Sequence, residues 1–305
     1  MQIIVLGSLE SWYVKDLRRA AAGRHEVLPK TFREVTSFVD RAAIAVHSGK
    51  SDLRAADAVL VRTMPAGSLE QVVFRMDVLG QLHRSGVPVL NPPQAIEAAV
   101  DKYLTTARLQ NAGLDVPATW CGQLAEDAMT AFEILGGDVV VKPIFGGEGR
   151  GITRVHDEAI ALRVFRTLEQ LGAAIYLQKF VDHEGMDLRL LVVGRRVLGV
   201  RRRSQNDWRT NISRGAVAEP LEVSDELAEL ALRAADAVGA PLAGVDLLPG
   251  KDGRLYAIEV NAVPGWQALG RTLNIDVADL VLRLLDGLRT DETELRPWHP
   301  EANVR

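Results

Sequence analysis

The chain has 305 residues, 47% hydrophobic and 25% charged, with a formal net charge of -4. That is the composition of a globular protein long enough for two or three cores, and it excludes a disordered chain or a nucleic-acid coat. The single cysteine, Cys121, excludes an internal disulfide, a cysteine zinc site and a thiol redox pair, and reads as a small buried hydrophobe.

Residues 1–7 read as a buried strand entering a small-residue turn, without the basic start and long apolar core of an export signal. Up to about residue 91, apolar runs at 3–6, 58–61 and 87–90 alternate with amphipathic stretches such as 69–83. This β-α-β rhythm predicts a small doubly wound parallel sheet. Pro92 and Pro93 break the chain ahead of a helix over 95–100, and the first domain boundary is placed there. Asn111 and Gly113 end another helical stretch, Pro117 and Thr119 open a strand, and residues 125–135 return to helical spacing. The segment Asp138-Val-Val-Val-Lys-Pro-Ile-Phe-Gly-Gly-Glu-Gly-Arg-Gly-Ile-Thr-Arg-Val155 then places two β-rich arms around glycines at 146, 147, 149 and 151, which reads as a hairpin. A dinucleotide fingerprint or Walker loop would instead run from a strand into a helix, and the Walker ending is absent. Strands are expected near 175–180, 188–193, 197–202, 244–248 and 255–260, with helices over 225–238 and 277–288. The apolar stretches 228–238 and 277–285 are interrupted by charged residues, so a cytoplasmic protein without a membrane span is expected. The six histidines lack metal-site spacing, and no Gly-x-Ser-x-Gly elbow marks a serine hydrolase.

Three places carry chemistry. The glycine loop lets backbone N–H groups approach an anion, and Lys142 just before it adds a positive charge; the alternative is a flexible hairpin with a solvated lysine. In Leu255-Tyr-Ala-Ile-Glu-Val-Asn261, alternation places Tyr256 and Ile258 on one face and Glu259 and Asn261 together on the other. Two oxygen donors make half a magnesium site, and Asp246, a carboxylate in an apolar strand, is read either as its second half or as a core ion pair to an arginine. Basic residues cluster over 200–215. Part of the Arg201, Arg202, Arg203 run reads as a solvated face, while Arg209, Asn211 and Arg214 recur after a strand and suit bidentate binding of phosphate or carboxylate.

In this order and spacing, the segments resemble the RimK-type branch of the ATP-grasp ligases, over nearly the whole chain. The resemblance runs from Asn91-Pro-Pro-Gln-Ala-Ile-Glu-Ala-Ala-Val-Asp-Lys102 through the glycine loop, Leu-Gln-Lys-Phe-Val181, Asp187-Leu-Arg and Arg209-Thr-Asn to Glu259-Val-Asn-Ala-Val-Pro-Gly265. It implies an α/β ATP-grasp fold with an N-terminal doubly wound domain over 1–92, a central subdomain with the lid loop over 93–174 and a C-terminal subdomain with the metal site over 175–305. It also implies that Lys102 and Lys142 contact ATP phosphates beneath a loop carrying Gly146, Gly147, Gly149 and Gly151. Gln178, Lys179, Phe180 and Val181 would receive adenine, and Asp187 would bind ribose. Arg209 and Asn211 would reach the phosphates, with Arg209 and Arg214 the catalytic cations. Asp246, Glu259 and Asn261 would hold Mg²⁺, with two ions expected and Mn²⁺ able to substitute.

Two positions depart from the family pattern: Gln178 and Lys179 replace a commoner acidic hinge, and Asn261-Ala-Val-Pro-Gly replaces Asn-Ser-x-Pro-Gly. The implied reaction is attack of an acceptor carboxylate on the γ-phosphate, then attack of an amine on the acyl phosphate, releasing ADP and phosphate. The amine is expected to be L-glutamate, and the acceptor a peptide end, a carrier protein or a pterin-like cofactor. The segment from Arg62 to Asp77 resembles a subgroup associated with tetrahydromethanopterin. The rivals are a D-alanine ligase or glutathione-synthase relative, and a non-catalytic nucleotide-binding protein, against which the complete Asp246, Glu259, Asn261 set speaks. Neither nucleic acid nor membrane is expected as a partner, and homo-oligomers are common among relatives.

Overall fold

The computed structural model describes residues 1–41, 43–146, 149–204, 207–210 and 215–290. Its first strand, β1 (Gln2–Leu6), buries Ile3 and Val5 on one face and Ile4 and Leu6 on the other. A parallel strand covered from both sides requires that pattern. The helix α1 (Trp12–Ala21), whose Ser11 hydroxyl caps the Val14 N–H, lays Val14, Leu17 and Ala21 on the Ile3 face. The chain returns along β2 (Glu26–Lys30), parallel to β1.

A small antiparallel sheet then interrupts the rhythm: β3 (Val35–Val39), β4 (Ile44–Ser48) and β5 (Ser51–Asp52). The sequence pattern leaves it out because only Val35, Val46 and Ser48 of its strands are buried, so no apolar run marks it. β6 (Ala58–Val61) rejoins the parallel sheet. α2 (Leu69–Arg84), opened by a Ser68–Gln71 capping box, packs Val78, Leu79 and Leu82 on the Ile4 face, and β7 (Val89–Leu90) completes the order β2-β1-β6-β7. The sheet is doubly wound, as the sequence predicts.

The short helix α3 (Pro93–Val100) leads into α4 (Lys102–Asn111), capped by Asp101, which accepts from the Leu104 N–H at 3.0 Å. A second, antiparallel sheet is built from β8 (Thr119–Gly122), α5 (Ala125–Ile134), β9 (Val139–Lys142), β10 (Thr153–Val155), α6 (Glu158–Gln170) and β11 (Ile175–Lys179), in the order β10-β9-β11-β8. β9 and β10 are the arms of the expected glycine hairpin. One face packs Val139, Val141, Ile175 and Leu177 on Phe132 and Phe165 from the two helices. Alternation leaves Val140, Lys142, Tyr176 and Gln178 on the other.

The third sheet has the order β14-β13-β12-β15-β16, from β12 (Met186–Val193), β13 (Arg196–Arg203), β14 (Val217–Leu221), β15 (Leu242–Pro249) and β16 (Leu255–Asn261). α7 (Asp225–Val238) precedes β15, and α8 (Gln267–Leu273) and α9 (Val277–Thr290) follow β16. The register slips between Asp246 and Leu247, which face Glu259 and Ala257, so Ile258 is a bulge. Simple alternation along β16 is therefore corrected: Ala257 and Val260, three positions apart, both enter the core.

Two apolar clusters join the parallel sheet to the third sheet and its helices, one through Ile4, Leu79, Leu188 and Val245, the other through Ile3, Leu17, Leu191 and Val281. The second sheet keeps a core of its own. Among the described residues, no helix is long and apolar enough to cross a membrane.

Candidate nucleotide and metal site

Asp101 ends α3 and caps α4, which makes Lys102 the first helical residue and directs it at the glycine hairpin. Its Nζ donates to the Gly146 carbonyl at 2.5 Å, and its backbone N–H donates to Ile144 at 3.3 Å. Lys142, the last residue of β9, is 9% exposed and donates to Gln178 Oε1 at 2.5 Å. Gln178 Nε2 donates to Thr119 Oγ1 at 3.1 Å and to Tyr176 Oη at 3.3 Å, and Tyr176 Oη meets Thr106 Oγ1 at 2.8 Å. A buried polar chain thus fixes the ammonium against the open face of the second sheet. Burial lowers the Lys142 ammonium to about 8, against the Glu259 carboxylate, which raises it. Burial likewise lowers Lys102, and Glu259 again opposes it. The Glu259 carboxylate thus lies within electrostatic reach of both ammoniums.

The opposite wall is a cross-strand row on β12, β15 and β16, in which Asp246 stands opposite Arg189 on one side and Glu259 on the other. Arg189 Nη1 donates to Asp246 Oδ1 at 2.7 Å, and Arg202 Nη2 lies 3.0 Å from Oδ2. Gly244 is what admits Arg189, since a Cβ there would collide with its guanidinium. Arg202 also donates to Asp187 through Nε at 2.7 Å and Nη2 at 2.5 Å, and Thr210 Oγ1 donates to Asp187 at 2.5 Å. Burial pushes the Asp246 carboxyl up, but the two guanidiniums outweigh it and hold the group below the usual carboxylate range. Of the two readings of Asp246, the structure shows the ion pair to core arginines, and the residue also faces Glu259 across the strands.

The Glu259 carboxylate is half-buried and accepts no hydrogen bond among the described residues. Asn261 Oδ1 accepts from the Val263 N–H at 2.8 Å, which turns the chain out of β16. No group of three or more His, Cys, Asp and Glu among the described residues could hold a metal. Two carboxylates and an amide oxygen nonetheless suit magnesium, a hard cation that keeps waters and shares substrate phosphates.

Within the loop, Gly151 has φ 73° and abuts Pro143, so an L side chain there would be strained. Gly146 and Gly149 also have positive φ, whereas Gly147, Asn211 and Arg214 lie outside the described residues. In the hinge, the Lys179 N–H donates to Ala118 at 2.8 Å and the Phe180 N–H to Asp138 at 3.0 Å. The Val181 N–H makes no backbone hydrogen bond among the described residues. The Phe180 ring carries the Arg154 guanidinium 3.4 Å from its centroid, and Arg154 is itself paired with Asp138. Arg209 pairs with Asp207 at 2.7 Å and reaches the Ile152 carbonyl at 3.4 Å, on the hairpin side of the cleft.

The structure thus gathers Lys102, Lys142, Gly146, Gln178, Asp246 and Glu259. It adds Arg189 and Arg202, which sequence reasoning passed over. Arg189 lies inside the quoted Asp187-Leu-Arg motif, and Arg202 was hidden in a run that reads as a solvated face, although it is only 8% exposed.

A family model described as a RimK-like ATP-grasp domain matches residues 99–285. A tetrahydromethanopterin:alpha-L-glutamate ligase of Methanosarcina acetivorans is 32% identical over 83% of this chain and 87% of its own length. A ribosomal protein bS6–L-glutamate ligase of Escherichia coli is 31% identical over 96% of this chain and 98% of its own. Among solved structures, the ATP-grasp ligase PsnB complexed with a minimal precursor superposes with a TM-score of 0.73 at 25% identity, covering 94% of this chain and 98% of that one.

Proposed function

The chain belongs to the RimK-like ATP-grasp family of ligases, and from that premise we propose that it forms an amide between L-glutamate and an acceptor carboxylate through an acyl phosphate, with release of ADP and phosphate. The observation that carries this reading is the cleft itself. Lys102, Lys142 and the glycine hairpin lie on one side, and the Asp246–Glu259 pair stands opposite on adjacent strands.

In this reading Lys142 and Lys102 bind the phosphates, Gly146, Gly149 and Gly151 let the hairpin close over them, and the Val181 N–H offers itself to the adenine edge. Asp187 would bind the ribose in this reading, and it orients Arg202. Asp246, Glu259 and Asn261 would hold Mg²⁺, with a second ion or Mn²⁺ as further parts of the proposal. When bound, the metal supplies charge neutralisation at the phosphate oxygens. Arg189 and Arg202 compensate the Asp246 charge and hold the carboxylate in position. Arg209, with Arg214, is placed as the cation that stabilises charge on the transferring group. The three-part organisation is retained, with the second junction drawn after Lys179, because β11 pairs with β8 and β9 in the second sheet.

Glutamate as the amine is supported by the names of both relatives. The acceptor is proposed as a small carboxylated molecule of the reduced-pterin type or a peptide end, since the two relatives differ on this point. The test is Mg²⁺-dependent ADP release with L-glutamate and a panel holding both acceptor types, followed by mass spectrometry. A product heavier by one glutamyl unit is expected. Glu259→Gln is expected to lower turnover by about 100-fold or more while the fold persists, as for loss of a group that stabilises transition-state charge; unchanged turnover would sink the catalytic assignment.

A further inference from the structure

Arg62 follows β6 directly, and its backbone N–H donates to Leu6 at 2.8 Å. It therefore stands at the carboxyl end of the parallel sheet, where open α/β sheets receive ligands. Its guanidinium lies against two aromatic rings that meet edge-on, 4.4 Å from the Tyr13 centroid and 4.1 Å from that of Trp266, the two centroids being 4.8 Å apart. Nη2 donates to the Pro264 carbonyl at 2.8 Å, in the turn that leaves Asn261. Nε and Nη1 are buried without a hydrogen-bond partner, and the residue is 5% exposed. Burial lowers this guanidinium to about 10, opposed by Tyr13 alone. A buried cation without a counter-charge is costly. Arg202, buried to a similar degree, shares two carboxylates, and Arg62 has none among the described residues.

We propose that Arg62 receives a carboxylate of a bound substrate, one that does not itself react, and that Tyr13 is the movable cover over it. The proposal rests on the ligase reading, because it supplies substrates that carry such a group. A guanidinium pairs bidentately with a carboxylate or a phosphate through its planar fork. The phosphates have their own cations in Lys102 and Lys142. Trp266 is 1% exposed and its indole N–H is tied to Asp16 at 3.0 Å, so it is the fixed plate. Tyr13, near the start of α1, packs edge-on against Trp12 and Trp266 but is only half-buried, so it is the less enclosed of the two rings over Arg62. The carboxylate would then be anchored one turn away from the strand bearing Glu259 and Asn261.

Two sources share this chemistry: the α-carboxylate of the incoming amino acid, and a spare carboxylate on the acceptor. Titration calorimetry on the full chain with Mg²⁺ and ADP separates them, using L-glutamate against its 1-amide, and the dipeptide Glu-Glu against Glu-Gln. The wild-type chain is expected to prefer the charged member of one pair by about 10- to 100-fold, the value of a charge-assisted hydrogen bond. The glutamate pair identifies the amino acid as the source, and the dipeptide pair the acceptor. Arg62→Met is expected to bind both members of that pair equally while binding ADP as before, and Arg62→Lys to recover part of the preference. If Arg62→Met does not fold, Arg62→Gln serves in its place, since its amide can keep the Pro264 bond. A wild-type chain indifferent within both pairs, or a variant that discriminates as the wild type does, overturns the proposal. Calorimetry reads binding rather than turnover. Discrimination without ADP release would defeat the ligase reading alone, and turnover with discrimination unchanged in the variant would defeat the Arg62 assignment alone.

Discussion

Lys142 illustrates how much one side chain's surroundings decide. Burial depresses its folded-state value from the ordinary 10.5 to about 8. Below about 8 the lysine is protonated whether the chain is folded or not, and the folded protein bears the full cost of burying the charge. Between 8 and 10.5 the folded protein has lost the proton that the unfolded chain keeps, so stability rises with pH across that window. A polyphosphate bound beside the ammonium favours the charged form, so ATP binding should draw a proton from solvent near pH 8.5, up to about one per site. Affinity should fall as pH rises through 8. Calorimetry of a non-hydrolysable ATP analogue in buffers of different ionisation enthalpy reads the uptake, which Lys142→Met should remove; uptake that survives in the variant would assign it elsewhere. At this scale the sequence was informative wherever one residue sufficed. Glu259 and Asp246 were legible as oxygen donors in apolar strands. The partners of Asp246 were not, because Arg189 and Arg202 reach it only through cross-strand registers, which no local pattern encodes.

At the scale of elements, the strands that bury both faces and the helices with a clear cap were legible. The interval 58–61 returned as β6 and 225–238 as α7, both with the expected bounds. The polar sheet β3-β4-β5 and the bulge at Ile258 were not, since neither alters the apolar run that a strand is read from. Caps matter here because they aim functional residues. Asp101 accepts the Leu104 N–H and thereby starts α4 at Lys102, whose ammonium meets the hairpin at Gly146. Asp101→Ala should cost about 1 kcal/mol of stability, the usual worth of an N-cap. It should also raise the KM for ATP several-fold by loosening Lys102. Asp101→Asn, an equally good cap, should restore the stability. Thermal melts with steady-state kinetics on the two variants check this, and a stability loss shared by Asn would mean that the charge, rather than the cap, holds the helix.

Across the whole molecule, the parallel sheet and the third sheet share two apolar clusters, while the second sheet forms its apolar core with its own helices and meets α4 through polar contacts. The fusion has a polar pin. Asn91, 1% exposed, donates through Nδ2 to Leu242 at 2.7 Å and to Ala262 at 2.5 Å, and its Oδ1 accepts from the Leu242 N–H at 3.0 Å. The motif position that opens the linker in sequence therefore clamps the first module to β15 and to the turn beyond Asn261. Modules that share a core should unfold together, and one with its own core can open separately, as a lid over nucleotide must. Asn91→Ala strands three buried backbone groups and should cost about 3 kcal/mol, at roughly 1 kcal/mol for each bond lost. Native-state hydrogen exchange locates that cost. Protection should drop in β1, β6, β12 and β15, and remain near wild type in β9, β11 and α6. Equal loss in both regions would show that the second sheet's core is coupled to the rest, and closure over ATP would then have to be a motion of the entire chain.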